Sequence, residues 1–175
     1  MQIPLLLSAY LVGSIPTGYL LAKYFFSVDL TRHGSGNIGA TNAARVIGKK
    51  YFLIVFSLDF SKAFLFLALL IPSPLAAVAL LVGNAYSPFL NFKGGKGVAT
   101  SAGILAALFP VAVLAITTSI WVALIIYFRR VDVASLLSLL LTTILTIYFQ
   151  TQELQLLLLF MNCLVVWRHR KNMVR

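Results

Sequence analysis

Thirteen of the fourteen lysines and arginines in this chain fall into four short groups, and long apolar stretches separate one group from the next. Lys23, Arg32, Arg45, Lys49 and Lys50 form the first group, and Lys93 and Lys96 the second. Arg129 and Arg130 form the third, and Arg168, Arg170, Lys171 and Arg175 the last. The stretches between them hold enough apolar residues to cross a bilayer and return. All four groups can therefore lie on one face, as the positive-inside bias expects. The pattern predicts an all-α membrane protein, one domain over residues 1–175, with a cationic cytoplasmic surface.

Composition supports this and removes other classes. Hydrophobic residues make up 61% of the chain and charged residues 10%, against roughly 25% charge in soluble domains. A net charge of +10 does not point to nucleic acid, because such a surface needs a soluble basic face with interleaved aromatics. Membrane lipids with anionic headgroups, or phosphorylated metabolites, are the expected partners. Cys163 is the only cysteine and lies in an apolar run, so no disulfide within the chain is expected. Two histidines and scattered acids lack metal-ligand spacing, so no metal or other cofactor is expected. The N-terminus has no basic leader and no small-residue cleavage site, and reads as a retained segment.

A spanning helix needs about 20 apolar residues, fewer where flanking groups snorkel. Ile3 to Lys23 is the first candidate. Tyr51 to Ile71 returns, and Pro72 and Pro74 mark a tight external turn. Leu75 to Leu90 comes back to the Lys93 group. Val98 to Phe128 is too long for one helix, and Pro110 divides it; two spans keep Arg129 and Arg130 on the same side as Lys96. Val133 to Phe149 and Leu154 to Trp167 complete seven transmembrane helices, with the N-terminus outside and the C-terminus cytoplasmic. Asp59 and Lys62 interrupt the second span three residues apart, so they share a helix face. A charge there costs about 3 kcal/mol. A buried pair that fixes helix packing is the preferred reading over an ion relay.

Chemistry is expected in two glycine-rich loops on the cationic side. The first reads Gly34-Ser35-Gly36-Asn37-Ile38-Gly39-Ala40-Thr41-Asn42, with Arg45 three residues on. It contains a dinucleotide-type G-x-G-x-x-G, but that fingerprint counts only after a strand in a βαβ unit, and a membrane helix precedes it here. The physics survives the failed motif. Glycines let backbone amides converge, and a short interfacial helix starting near Gly39 adds its free N–H groups and positive dipole end. The second loop, Phe92-Lys93-Gly94-Gly95-Lys96-Gly97-Val98-Ala99-Thr100, places Lys93 and Lys96 among three glycines at a helix start. Two phosphate-sized sites on one face suggest two phosphorylated ligands, or one ligand and a leaving phosphate. No Ser-His-Asp spacing occurs, and the H-x-x-x-x-D motif of thioester-dependent acyltransferases is absent. Without an evident nucleophile, transfer would need a pre-activated donor such as an acyl phosphate.

These residues carry a resemblance. Ser14-Ile15-Pro16-Thr17-Gly18, Asp29-Leu30, Arg32, the run from Gly34 to Asn42, and Arg45 resemble the first motif of the bacterial acyl-phosphate:glycerol-3-phosphate acyltransferases, the PlsY family. Phe89-Leu90 with Phe92 to Thr100 resembles the second, Ala134-Ser135 the third, and Arg168-His169-Arg170 with Asn172 and Arg175 the C-terminal end. The resemblance implies transfer of an acyl group from acyl phosphate to the sn-1 hydroxyl of glycerol 3-phosphate, releasing lysophosphatidic acid and phosphate. It implies direct transfer without acyl-enzyme or metal, a multi-pass protein of the bacterial inner membrane with its site facing the cytoplasm, and functional coupling to the enzyme that makes acyl phosphate.

For the site, the resemblance implies a donor phosphate on the amides around Ser35 and Gly36, near Asn37 and Thr41; Gly34 and Asn42 belong to the same cradle. Glycerol 3-phosphate would be held by Arg45, Lys96, Ser135, His169 and Asn172, with Lys93 beside them. Ser35, Arg45, Lys96, Ser135, His169 and Asn172 are the expected catalytic set. His33 and His169 are the candidate bases on residue chemistry, with His169 favoured as a hydrogen-bonding ligand whose cation the neighbouring arginines disfavour. Two departures stand out: Gly83-Asn84 where the family usually has Gly-His, and Asp132 where it has serine. A transporter or binder of phosphorylated lipids is the rival reading, weakened by the absence of an internal repeat and by loops that lie at the interface rather than the midplane.

Overall fold

The structure is a computed structural model that describes residues 2–173, the side chains at positions 2, 147 and 171–173 excepted. It consists of helices α1 (Gln2–Ser14), α2 (Thr17–Phe26), α3 (Ala40–Ile47), α4 (Tyr51–Leu69), α5 (Pro74–Ala85), α6 (Val98–Leu108), α7 (Val111–Phe128), α8 (Val131–Thr146) and α9 (Gln152–Met173). Single 3₁₀ turns occupy Pro88–Leu90 and Ile147–Phe149. No strand occurs among the described residues. Proline and glycine set several boundaries. Pro74 opens α5, Pro110 separates α6 from α7 as expected, and Gly97, at φ 85°, turns the chain into α6.

Two helices, α4 and α7, are each long and apolar enough to cross a membrane, and the bent pair α1–α2 makes a third. The remaining apolar helices are shorter; α6, with 11 residues, reaches about 16 Å. Large apolar side chains such as Leu69, Ile126 and Phe149 stand exposed around the outside, an arrangement that suits lipid rather than water.

The first expected span is not one helix. It breaks at Ile15–Pro16 and bends by 42°, because Pro16 supplies no N–H to the helical ladder. The bend meets the charged pair in α4. Lys62 Nζ lies 2.7 Å from Asp59 Oδ1 and donates to the Ile15 carbonyl at 2.9 Å, while the Thr17 hydroxyl donates to the same Asp59 oxygen at 2.8 Å. The pair therefore fastens α4 to the break, which is the packing role preferred from sequence.

α1 packs on α5, α4 on α6, α7 on α8, and α9 against both α5 and α8. Leu67, Leu80, Leu81, Ile104, Leu158 and Met161 fill the shared core. At the α1–α5 contact a Cβ on Gly13 would run into the Leu80 carbonyl, and one on Gly83 into the Tyr10 carbonyl. Small residues let helix backbones approach this closely where no hydrophobic force drives association. A second cluster, Ala22, Leu30, Ala43 and Val55, anchors the first glycine loop to α2, α3 and α4. Gly83→Val is expected to force α1 from α5 and cost about 1–3 kcal/mol, read as a lowered thermal midpoint in detergent; an unchanged midpoint would show the contact to be looser than described.

Candidate active site

The first glycine loop is organised by one buried side chain. Asn42, in the first turn of α3 and 2% exposed, accepts the Ser35 amide on Oδ1 at 2.8 Å. Its Nδ2 donates to the carbonyls of Leu30, His33 and Asn37 at 3.3, 3.0 and 2.7 Å. Gly34 and Gly36 turn the chain around it with φ of 61° and 71°, values that favour glycine. Asn42 thus ties the loop together from inside and also lines the cavity described below.

The expected amides at Ser35 and Gly36 are also occupied, the second by the His33 carbonyl at 3.1 Å. Open N–H groups lining the cavity described below include those of Gly34, Asn37, Ala40 and Thr41, the last two being free N-terminal amides of α3. Asn37 Oδ1 caps Gly39 at 2.8 Å. Arg45, exposed, stands one turn further along α3 and lines the same cavity. His33 faces away from it, its Nδ1 2.7 Å from the Asp29 carbonyl.

The second loop differs from expectation in the same way. The Gly94 and Gly95 amides donate to the Ala85 and Asn84 carbonyls at 3.2 and 2.8 Å. Glycine is required at 94 because a Cβ would collide with the Asn84 carbonyl. Arg168 holds the loop from the other side: Nε donates to the Gly95 carbonyl at 3.0 Å, Nη2 to the Gly94 carbonyl at 2.7 Å, and the guanidinium sits 5.2 Å over the Tyr86 ring. Among the described residues it has no carboxylate within ion-pair distance. Held this way, the loop directs Lys96 and the N-terminus of α6 into the cavity, while Lys93 is exposed and outside its lining. Burial, with the charges of Arg168 and Arg45, lowers the Lys96 ammonium to about 8, and Asp132 partly opposes this.

His169, 2% exposed, follows the apolar part of α9. Its Nδ1 lies 2.7 Å from the Val165 carbonyl, which assigns the proton to Nδ1 and leaves Nε2 as an acceptor. Burial first, then the Lys96 charge, lowers its pKa to about 4, so the cation is disfavoured more by burial than by the neighbouring arginines. Ser135 donates to the Val131 carbonyl at 2.7 Å and accepts the Trp121 indole N–H at 3.1 Å. Arg130 makes a two-point contact with Asp132 at 2.8 and 3.2 Å. The Asn172 side chain lies outside the described residues.

These groups surround a cavity of about 570 Å³. Thr41 and Arg45 line one part of it, and Lys96, Gly97 and Ala99 another; Arg129, Arg130, Asp132, Ser135 and His169 complete it. A second, apolar groove of about 310 Å³ runs along α4, α6, α7 and α8. Phe52, Phe56 and Phe60 form its track, their rings stacked at 6.0 and 6.3 Å between centroids. Phe52, Phe56, Val98, Trp121 and Ser135 line both spaces, so groove and chamber meet at a waist. Sequence reasoning missed Trp121, which offered only a lone indole in an apolar span. The phenylalanines recur every four residues, a signal that was available.

Residues 3–175 match the family profile described as glycerol-3-phosphate acyltransferase. A glycerol-3-phosphate acyltransferase of Macrococcus caseolyticus is 40% identical over 182 residues, covering 100% of this chain and 93% of the relative. That of Aquifex aeolicus is 35% identical, covering 98% and 93%. The crystal structure of PlsY (YgiH), an integral membrane glycerol 3-phosphate acyltransferase, in its glycerol 3-phosphate form has a TM-score of 0.91 at 34% identity, covering 99% of this chain and 90% of that one. Its lysophosphatidic acid form gives 0.87 and 32%. A helical membrane fold with an apolar groove opening into a cationic chamber therefore defines an integral membrane acyltransferase, and the transporter reading is set aside. The chain belongs to the glycerol-3-phosphate acyltransferase family.

Asn42→Asp keeps the shape but replaces three donated hydrogen bonds with a carboxylate facing three carbonyls. Amide exchange in residues 31–39 should rise at least tenfold while the exchange of α5 and α6 stays unchanged. Equal protection in both proteins would remove Asn42 as the organiser of the loop.

Proposed function

We propose that this enzyme transfers an acyl group from acyl phosphate to the sn-1 hydroxyl of glycerol 3-phosphate, giving 1-acyl-glycerol 3-phosphate and inorganic phosphate. The observation that carries the reading is the waist. An apolar groove suits an acyl chain, a chamber with open helix N-termini and cations suits phosphates, and the acyl carbonyl of an amphiphilic donor belongs where the two meet. The donor chain lies along the phenylalanine track, and its phosphate on the amides of Asn37, Ala40 and Thr41 beside Ser35. Glycerol 3-phosphate lies against Arg45, Lys96 and the α6 N-terminus.

In this arrangement the sn-1 oxygen attacks the acyl carbonyl carbon. The new ester C–O bond forms as the mixed-anhydride C–O bond breaks, and the leaving phosphate carries away the hydroxyl proton. Nε2 of His169 orients the hydroxyl as an acceptor; a group with a pKa near 4 is too weak a base to hold its proton at neutral pH. Lys96 and the helix amides stabilise charge on the phosphates without reorganising, which is where such sites gain most of their rate. Ser135 presents its remaining lone pair at the waist. On this reading the chamber faces the cytoplasm from a bacterial inner membrane that the chain crosses seven times, N-terminus outside, an orientation that the positive-inside bias of the four basic groups supports.

Purified protein given acyl phosphate and glycerol 3-phosphate should release lysophosphatidic acid and phosphate in equal amounts. Turnover with acyl-CoA and none with acyl phosphate would overturn the donor assignment. Arg45→Ala should lower kcat/KM by at least a hundredfold. The pH dependence has a definite sign. Lys96 is cationic below about 8 and neutral above it, while a phosphate monoester, with its second pKa near 6, is already dianionic there. KM for glycerol 3-phosphate should therefore climb as pH rises through about 8. In Lys96→Arg that climb should vanish, because guanidinium keeps its proton; the same climb in both proteins would exclude Lys96 as its source.

A further inference from the structure

Within the wall of the polar chamber one side chain is unaccounted for. Asn84, at the end of α5, is 5% exposed and lines the cavity. Its backbone carbonyl accepts the Gly95 amide at 2.8 Å, but its side-chain amide has no hydrogen-bond partner among the described residues. A buried amide left unsatisfied is costly. Thr100 Oγ1 and Ser101 Oγ are also unpartnered, but they are sealed from solvent. Neither the oxygen nor the nitrogen of Asn84 is sealed in that way, so its amide is reachable from the chamber. It stands beside the loop that carries Lys96: a Cβ on Gly95 would lie 2.9 Å from Asn84 Oδ1.

The groups around it divide the work of recognition. Arg45, Lys96, Arg129 and the α6 amides are donors or cations, suited to phosphate oxygens. Asn84 is neutral and both donates and accepts, which matches a hydroxyl rather than an anion. On the reading that glycerol 3-phosphate occupies this part of the chamber, its sn-1 hydroxyl is directed to the waist and its phosphate to the cations. The sn-2 hydroxyl is then the polar group left over. We infer that Asn84 binds the sn-2 hydroxyl of the acceptor and so selects glycerol 3-phosphate over acceptors that lack it. Phosphorylated diols without a central hydroxyl are rejected because their binding leaves the amide buried and unpaired.

The experiment compares two acceptors, glycerol 3-phosphate and 1,3-propanediol monophosphate, in wild type and in Asn84→Leu, with the thermal midpoint measured alongside. Wild type should favour glycerol 3-phosphate by on the order of tenfold to a hundredfold in kcat/KM, the value of one buried hydrogen bond. Asn84→Leu should lose that preference while keeping its rate with the diol phosphate. Asn84→Gln, which restores an amide at a longer reach, should recover part of the preference. A preference that survives intact in Asn84→Leu overturns the inference, as does a loss of rate that is equal for both acceptors. Should the leucine variant fail to fold, the glutamine variant decides alone: an undiminished preference, or an equal loss on both acceptors, counts against the assignment. Wild-type turnover of glycerol 3-phosphate is the control that separates this result from the acyl-transfer reading itself.

Discussion

In an apolar surround every backbone amide and carbonyl must find a partner inside the protein, and this constraint explains where the chemistry lies. Through the bundle the obligation is met by helical ladders, and at the Pro16 break by Lys62 reaching the Ile15 carbonyl. It is relaxed around one chamber. There the first turns of α3 and α6 present N–H groups that no carbonyl satisfies. An anion is the partner such groups accept best.

Glycine has a different role in these loops from the one its sequence pattern suggests. The sequence reading took the glycines as sources of converging amides. In the structure the amides of Ser35, Gly36, Gly94 and Gly95 are already donated to the protein itself. Gly34 and Gly36 supply left-handed turns around Asn42, and Gly94 supplies clearance against the end of α5. The glycines shape two supports, and the helices that follow them present open N–H groups to the cavity. Asn42 and Arg168 are the ties of those supports, one gathering three carbonyls and the other two.

Much of this could be read from residue order alone, for reasons that are particular rather than general. Pro110 marked the boundary between α6 and α7 because proline acts locally. Arg45, Lys96, Ser135 and His169 all line the chamber, since each lies at a helix end adjoining a polar loop. What stayed hidden depends on contacts across long stretches of chain. The part Asn42 plays as a tie is one example, because its four loop partners are brought together only by folding. Lys93 and Lys96 look alike in sequence, and only the Arg168 grip on the loop turns one inward. Trp121 and Ser135 meet because α7 packs on α8, and no local pattern announces that pairing.

The knot at Pro16 bears on how the protein is made. Ile15 and Lys62 are 47 residues apart, so the amino-terminal segment emerges from the ribosome long before its lysine does. Until then the Ile15 carbonyl has the Thr17 amide, 3.0 Å away, as its partner, and α4 brings it a second donor at 2.9 Å. Asp59, Lys62's partner, also lines the chamber. Through this one pair, the packing of α4 on the bend at Pro16 is also the packing that sets one wall of the chamber.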